Sequence, residues 1–498
     1  MPADKFMDYL DHNKDARHRF ILFTGYFLIA IAIAMGTIVL VYRAYGFGLN
    51  TDGSVTQNGL IFAASHPDPA KVYIDGKLTG WRTDAKLTIA EGNYLLTLKR
   101  DGYWDWQRSV EVEGGGVQRV DYPLLIPKTL DSRVLADLGG VPSLASQSPD
   151  QRWLLLGKPG NLTAFDLYDL KNPTKPATSL NLPASLLSPA SHNQSWQSLA
   201  WADDNRHLLL KHTYDGKAEF ILLDRTAPGQ SLNLNKVFNV AATDIAFINR
   251  NFNDFYLYDG AQKTLQTASL SSPTPALLAS QVTAIQATDS GLIIVTAKDA
   301  PKGQSLVQLR NGDHFSTITS LPADKQYLLA AAKYHGSLYV VVGASQRNTI
   351  NIYKDPLQQL KADPALALQP KRILFLKSPK FVSFSPDGQF VSVENGQYFS
   401  VYDIDSGISY EYSVPHTLDL PGAQAKWMDN YRLTYVSHGI LIEFDYDGSN
   451  RHSLMAANAN SGVFFDAKDN TAYSVAPSPT VGSHDQLVQT NLLTKADR

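Results

Sequence analysis

Cysteine is absent from all 498 residues. That excludes a disulfide framework, a thiolate nucleophile and any Cys-ligated zinc, so every folded part of the chain is held by burial and hydrogen bonding alone. An excess of one charge is also missing: 44 Lys and Arg face 47 Asp and Glu, a formal net charge of −3. With no dense Lys/Arg run to neutralise phosphates, nucleic acid is not expected as a partner. No HExxH, GxSxG, Walker-A or dinucleotide fingerprint occurs, so the common sequence marks of metalloprotease, serine hydrolase, NTPase and dehydrogenase chemistry are absent. No catalytic residue, metal ligand or cofactor is expected. What is present is 44% hydrophobic and 10% aromatic content, enough for sizeable cores in two or more domains.

Long apolar runs are scarce as well, with one exception. Phe20 to Tyr42 is 23 residues without a charge. As a helix rising about 1.5 Å per residue it spans a hydrocarbon core of roughly 30 Å. Residues 20–42 are therefore expected to form a transmembrane helix. The run continues past the small residues Ala30, Ala32 and Ala34, which favours an uncleaved anchor over a signal peptide. Lys5, Lys14, Arg17 and Arg19 precede it, whereas Arg43 is the only basic residue between it and Lys71. This asymmetry places the tail, residues 1–19, in the cytoplasm and the rest outside the cell membrane. Phe6, Met7, Tyr9 and Leu10 could line one face of a turn in a tail otherwise read as a solvated lead-in.

Residues 43–59 read as a linker rich in turn signals, with Tyr45 and Phe47 suited to an interfacial aromatic belt. From residue 60 to 126 the pattern alternates. Val72 and Ile74, Leu87 and Ile89, Tyr94, Leu96 and Leu98, then Val110 and Val112 recur at period two, with Asp75-Gly76, Glu91-Gly92 and Asp101-Gly102 as turns. A small β-sandwich is the expected product. The stretch Pro67 to Gly80, the turn Ala90-Glu91-Gly92-Asn93 followed by Tyr94, and Asp101-Gly102-Tyr103 together resemble the PEGA domain. Ala90 and Asn93 depart from the name-giving Pro-Glu-Gly-Ala turn. The resemblance implies a non-catalytic interaction module at the cell envelope of a bacterial or archaeal surface protein, and brings no active site.

Trp81, Trp104 and Trp106 are the candidate ligand contacts of this segment. Trp104 and Trp106, two apart, are expected on one face of a strand, where they could form a stacking platform for a sugar or a protein. The alternative is that at least one of them is core.

Residues 127–498 carry a repeat. Phe384-Ser385-Pro386-Asp387-Gly388 and Gln147-Ser148-Pro149-Asp150-Gln151 are its clearest copies; Ala200 to Asn205, Lys426 to Asn430 and Phe465 to Asn470 are among the weaker ones. From Asp150 to Asp469 seven steps cover 319 residues, about 46 per step, close to the period of a four-stranded propeller blade. The SPDG turn and the endings FSVYDIDSG at Phe399 and LIEFDYDGSN at Leu441 resemble TolB-type and WD40-like propellers. Eight blades are counted, with seven as the alternative. Arg133-Val134-Leu135 is expected to complete the last blade beside Leu487 to Leu493, which would remove the open edges of the array.

His207 and His212, five apart on a strand, fall on opposite faces and make no metal pair. Asp445, Asp447 and Gly448, like Asp403, Asp405 and Gly407, could begin a calcium loop but lack its distal ligands and read more simply as hairpin turns. Two functions stay open. One is a membrane-anchored binding or scaffold protein that meets an envelope protein or glycan. The other is a propeller-based carbohydrate-active enzyme or peptidase, with Asp203, Asp204 or Asp466 near the channel. A third idea is a structural subunit of a larger envelope assembly. The insertions Asn172 to Ser195 and Asp355 to Lys371 are candidate contact surfaces or plain spacers.

Overall fold

A computed structural model describes residues 12–44, 46–49, 55–189, 192–324, 326–363, 367–415, 418–419, 423–478 and 484–497. The tail residues Phe6 to Leu10, and Tyr45 of the linker, lie outside the described residues, as does part of each insertion. The chain divides into two compact units, Met1–Leu125 and Ile126–Arg498.

In the first unit one helix runs from His12 to Ala44, and within Ala16–Ala44 an 18-residue stretch has mean hydropathy 2.3 with none of it buried. Such a helix is long and apolar enough to cross a membrane. Its two threonines answer their own hydroxyls, Thr24 donating to the carbonyl of Phe20 and Thr37 to that of Ile33, so neither needs water.

The rest of this unit is two four-stranded sheets. Phe47–Leu49, Val55–Ala63 and Ala85–Ala90 pair in that order, with Val117–Val120 parallel to Val55–Ala63. Lys77–Arg82, Lys71–Ile74, Gly92–Lys99 and Trp106–Val112 form the second. Every alternating residue named from the sequence reaches the shared core: Val72, Leu87, Leu96, Leu98, Val110 and Val112 are buried, and Ile74, Ile89 and Tyr94 pack against them. Asp75 and Gly76 both take positive φ, +48° and +76°, and so turn Lys71–Ile74 tightly into Lys77–Arg82.

The second unit contains eight four-stranded antiparallel sheets, the eight blades of a β-propeller. Their innermost strands are Ala145–Gln147, Ser195–Trp201, Asp244–Ile248, Val282–Thr288, Tyr327–Tyr334, Phe381–Phe384, Lys426–Trp427 and Val463–Phe465. The eighth blade is built from both ends of the unit. Asp131–Asp137 pairs antiparallel with Gln486–Asn491, Arg133 opposite Gln489, and Leu138 continues the ladder to Asp485. The expected closure is therefore realised, and eight is the blade number.

Three devices repeat around the ring. At the first turn of a blade a carboxylate accepts backbone N–H groups: Asp387 from Gln389, Asp204 from Arg206 and His207, Asp429 from Tyr431 and Arg432, and Asp466 from Asn470 and Thr471. A side chain from that turn then reaches a carboxylate at the end of the third strand, as Arg152 does to Asp169, Arg206 to Asp224 and Gln389 to Asp403. Finally, neighbouring blades are stitched: the Asp150 N–H donates to Asn205 and the Asp387 N–H to Asn430, while the Trp201 indole donates to Ser146 and the Trp427 indole to Ser383. Where these groups lie between sheets, as with the Trp201 indole on Ser146, the side chain satisfies one that burial would otherwise leave unpaired.

Gly388 shows how close the blades come. It has φ of +82°, and a Cβ added there would stand 2.6 Å from the carbonyl oxygen of Lys333 in the preceding blade. Gly388→Ala should therefore destabilise the propeller by about 2 kcal/mol or more. Chemical unfolding followed by tryptophan fluorescence checks this, and an unchanged midpoint would contradict it.

Candidate functional site

The innermost strands enclose a channel with a cavity towards each end. The first, about 500 Å3, is walled by inner strands of blades one, two, seven and eight, including Ser146, Gln197, Lys426 and Phe464, and by the turn residues Gln151 and Met428. The second, about 660 Å3, lies where inner strands of blades two to six end, and includes Arg250, Asp289, Lys333 and Phe384.

Acid–base chemistry on a glycan or peptide requires two carboxylates, or a His beside a carboxylate, facing one ligand. Among the described residues the first cavity has no carboxylate in its lining, and the second has only Asp289. That one accepts from Arg250 Nε at 2.8 Å. The carboxylates named from the sequence serve turns instead: Asp204 and Asp466 cap their strands as described, and Asp203 is an exposed neighbour of Arg250. Among the described residues no group of three His, Cys, Asp or Glu could hold a metal ion. Asp403 and Asp445 spend oxygens on the hairpin turns they open, Asp403 accepting from the Asp405 N–H and Ser406 and Asp445 from Asn450.

His207 and His212 each have a carboxylate of their own. His207 Nδ1 lies 2.5 Å from Asp204, and its ring stacks on Phe252. His212 is fully buried, with Nδ1 2.9 Å from Glu219 Oε1 and its ring beside Trp196. Burial alone would raise the Glu219 carboxyl, but hydrogen bonds from His212, the Ser188 backbone and hydroxyl, and Asn233 outweigh it and hold the group down to about 2. Ser188 belongs to the insertion 172–195, so this buried network ties that insertion to blade two. The other insertion carries a short helix, Pro356–Ala362.

The three tryptophans separate. Trp106 opens the strand Trp106–Val112 and is 1% exposed in the sandwich core, edge-on to Tyr122. Trp104 precedes that strand and is 49% exposed, so the two do not share a strand face as the spacing suggested. Trp81 is 57% exposed on the strand Lys77–Arg82, at a bulge where Lys71 pairs with Arg82 but Tyr73 with Leu78. Such an irregularity re-aims side chains at a sheet edge.

Sequence reasoning did not single out Lys426. Its side chain is exposed to the channel and its ammonium has no protein partner among the described residues, while partial desolvation by the surrounding walls holds its pKa below the usual ammonium range. A signal was available: aligned on the starts of their first turns, Ser146, Ala200 and Ser383 stand where Lys426 stands, so this blade carries a cation where three others carry a small residue.

Behind this wall Glu394 is 1% exposed and accepts only the Ala425 N–H, leaving Oε2 without a partner. Burial pushes its carboxyl up to about 8, against the weaker opposing effect of that N–H. A group raised in the folded state contributes its full stability below the unfolded value and loses it as pH rises through the folded one. Glu394→Gln should thus be nearly neutral at pH 4.5 and stabilising by about 3 kcal/mol at pH 7. Equal unfolding midpoints for the two proteins at both pH values would contradict this.

Residues 58–126 match the PEGA domain family. No curated protein matches the chain. Among solved structures, the dihydro-heme d1 dehydrogenase NirN is 14% identical with a TM-score of 0.41, covering 63% of this chain and 66% of that one. Kluyveromyces lactis Hsv2 is 12% identical at a TM-score of 0.38, with coverage of 61% and 92%. The lmo1340 protein of Listeria monocytogenes EGD-e is 14% identical at 0.39, with 66% and 93%. At these scores the likenesses carry no argument about function, and the propeller rests on its own strand pairing.

Proposed function

We propose that this protein is a single-pass, membrane-anchored binding protein of the cell envelope, in which a PEGA-type sandwich is the membrane-proximal module and the propeller is the receptor. The observation that carries this reading is the channel lining: hydroxyls, amides, aromatic rings and a few cations, with no pair of groups suited to proton transfer. The uncovered apolar helix supports the anchor, and the Lys/Arg excess before it supports a cytoplasmic N-terminus with both folded units outside. Trp81 and Trp104, both exposed on the sandwich, are proposed as a secondary protein or glycan contact. The enzymatic alternative is not favoured by any arrangement in the channel.

The test is retention of an envelope component by the full-length protein in detergent micelles, using extract that is untreated or digested with protease. Saturable capture that disappears when residues 126–498 are removed is the expected result. Its sensitivity to digestion then separates a protein partner from a glycan. Equal capture with and without the propeller, or release of cleaved product, would overturn the reading.

A further inference from the structure

The first cavity holds more polar capacity than the protein uses. Gln197 and Asn460 present exposed side-chain amides to it, with no protein partner among the described residues. Beside these stand the free ammonium of Lys426 and the rings of Trp427 and Phe464. In the lining of the two cavities Arg250 is paired with Asp289, which leaves Lys426 and Lys333, one in each, without a carboxylate opposite them in the lining. Walls of low polarisability strengthen the field of such a cation.

We infer that the Lys426 end of the channel binds a carboxylate-bearing sugar, an acidic saccharide unit of the uronate type. The inference rests on the binding function proposed above and gives it a ligand class. The single ammonium matches a single carboxylate, whereas a phosphate site would be expected to supply an arginine fork or a set of convergent backbone N–H groups. Gln197 and Asn460 suit the hydroxyls of a pyranose, because a side-chain amide both donates and accepts. Trp427 and Phe464 offer apolar surface to its C–H groups. A cavity of about 500 Å3 is within the range of small-ligand sites.

The test is calorimetric titration of the full-length protein in detergent micelles with D-glucuronate, a tri-galacturonate, D-glucose, inorganic phosphate and a neutral tripeptide with a free C-terminus. Binding of one or both uronates at least roughly tenfold tighter than glucose, phosphate or tripeptide is expected. A preference for the trimer identifies a polymer as the source, and equal affinity identifies the free sugar acid. Lys426→Met should weaken uronate binding roughly tenfold or more, and Lys426→Arg should restore part of it. Uronate affinity should also fall as pH rises through the lowered lysine pKa. Glucose binding as tightly as uronate, tripeptide or phosphate in preference to uronate, or full affinity in a normally melting Lys426→Met protein would overturn the inference. If uronates do not bind but the envelope component is still captured through the propeller, the ligand class falls and the binding function stands; loss of both defeats the two together.

Discussion

Everything in the larger unit depends on one pairing, between Asp131–Asp137 and Gln486–Asn491. A four-stranded sheet has two edges of unpaired peptide groups, and eight of them in sequence form an array whose ends must still meet. Drawing the outer strand of the last blade from the start of the unit converts that open array into a ring. The contact spans some 350 residues of chain, so its formation carries a large loop-closure cost that the finished ladder and the buried Leu487 beside it must exceed. Only once the ring is closed do eight inner strands face one another across a channel.

The same geometry explains why the carboxylates are where they are. A blade stacks buried sheets against neighbours, and its hairpin ends would leave peptide N–H groups dry. Asp387, Asp204, Asp429 and Asp466 answer those groups at the first turn, and Asp169, Asp224 and Asp403 take the side chain that the turn sends across. Carboxylates used in this way are withdrawn from the channel. The lysines Lys426 and Lys333, one in each cavity, are left without a carboxylate opposite them in the lining.

Much of this was legible from sequence because it is local. The uncharged run Phe20 to Tyr42, the period-two residues of the sandwich and the Asp75-Gly76 turn each declare themselves within a few residues of chain. The ring closure was legible for a different reason: with the period known, Arg133 to Leu135 was left over and needed an edge. What escaped was convergence. Trp104 and Trp106 have the spacing of one strand face, but the strand begins only at Trp106, so the first remains outside and the second enters the core. Lys426 and Asn460 are distant in sequence from Ser143 and Gln197, and no pattern within one blade says that they line one cavity. Only the mismatch with Ser146, Ala200 and Ser383 hinted that this blade differs at its inner strand.

The most direct measurement is amide hydrogen exchange of the full-length protein in detergent micelles, with and without its captured ligand. Protection is expected around the inner strands of blades one, two, seven and eight, in peptides that contain Ser143, Gln197, Lys426 and Asn460. Protection confined to peptides with Trp81 and Trp104, and unchanged exchange around the channel, would contradict the account and move the binding function to the sandwich.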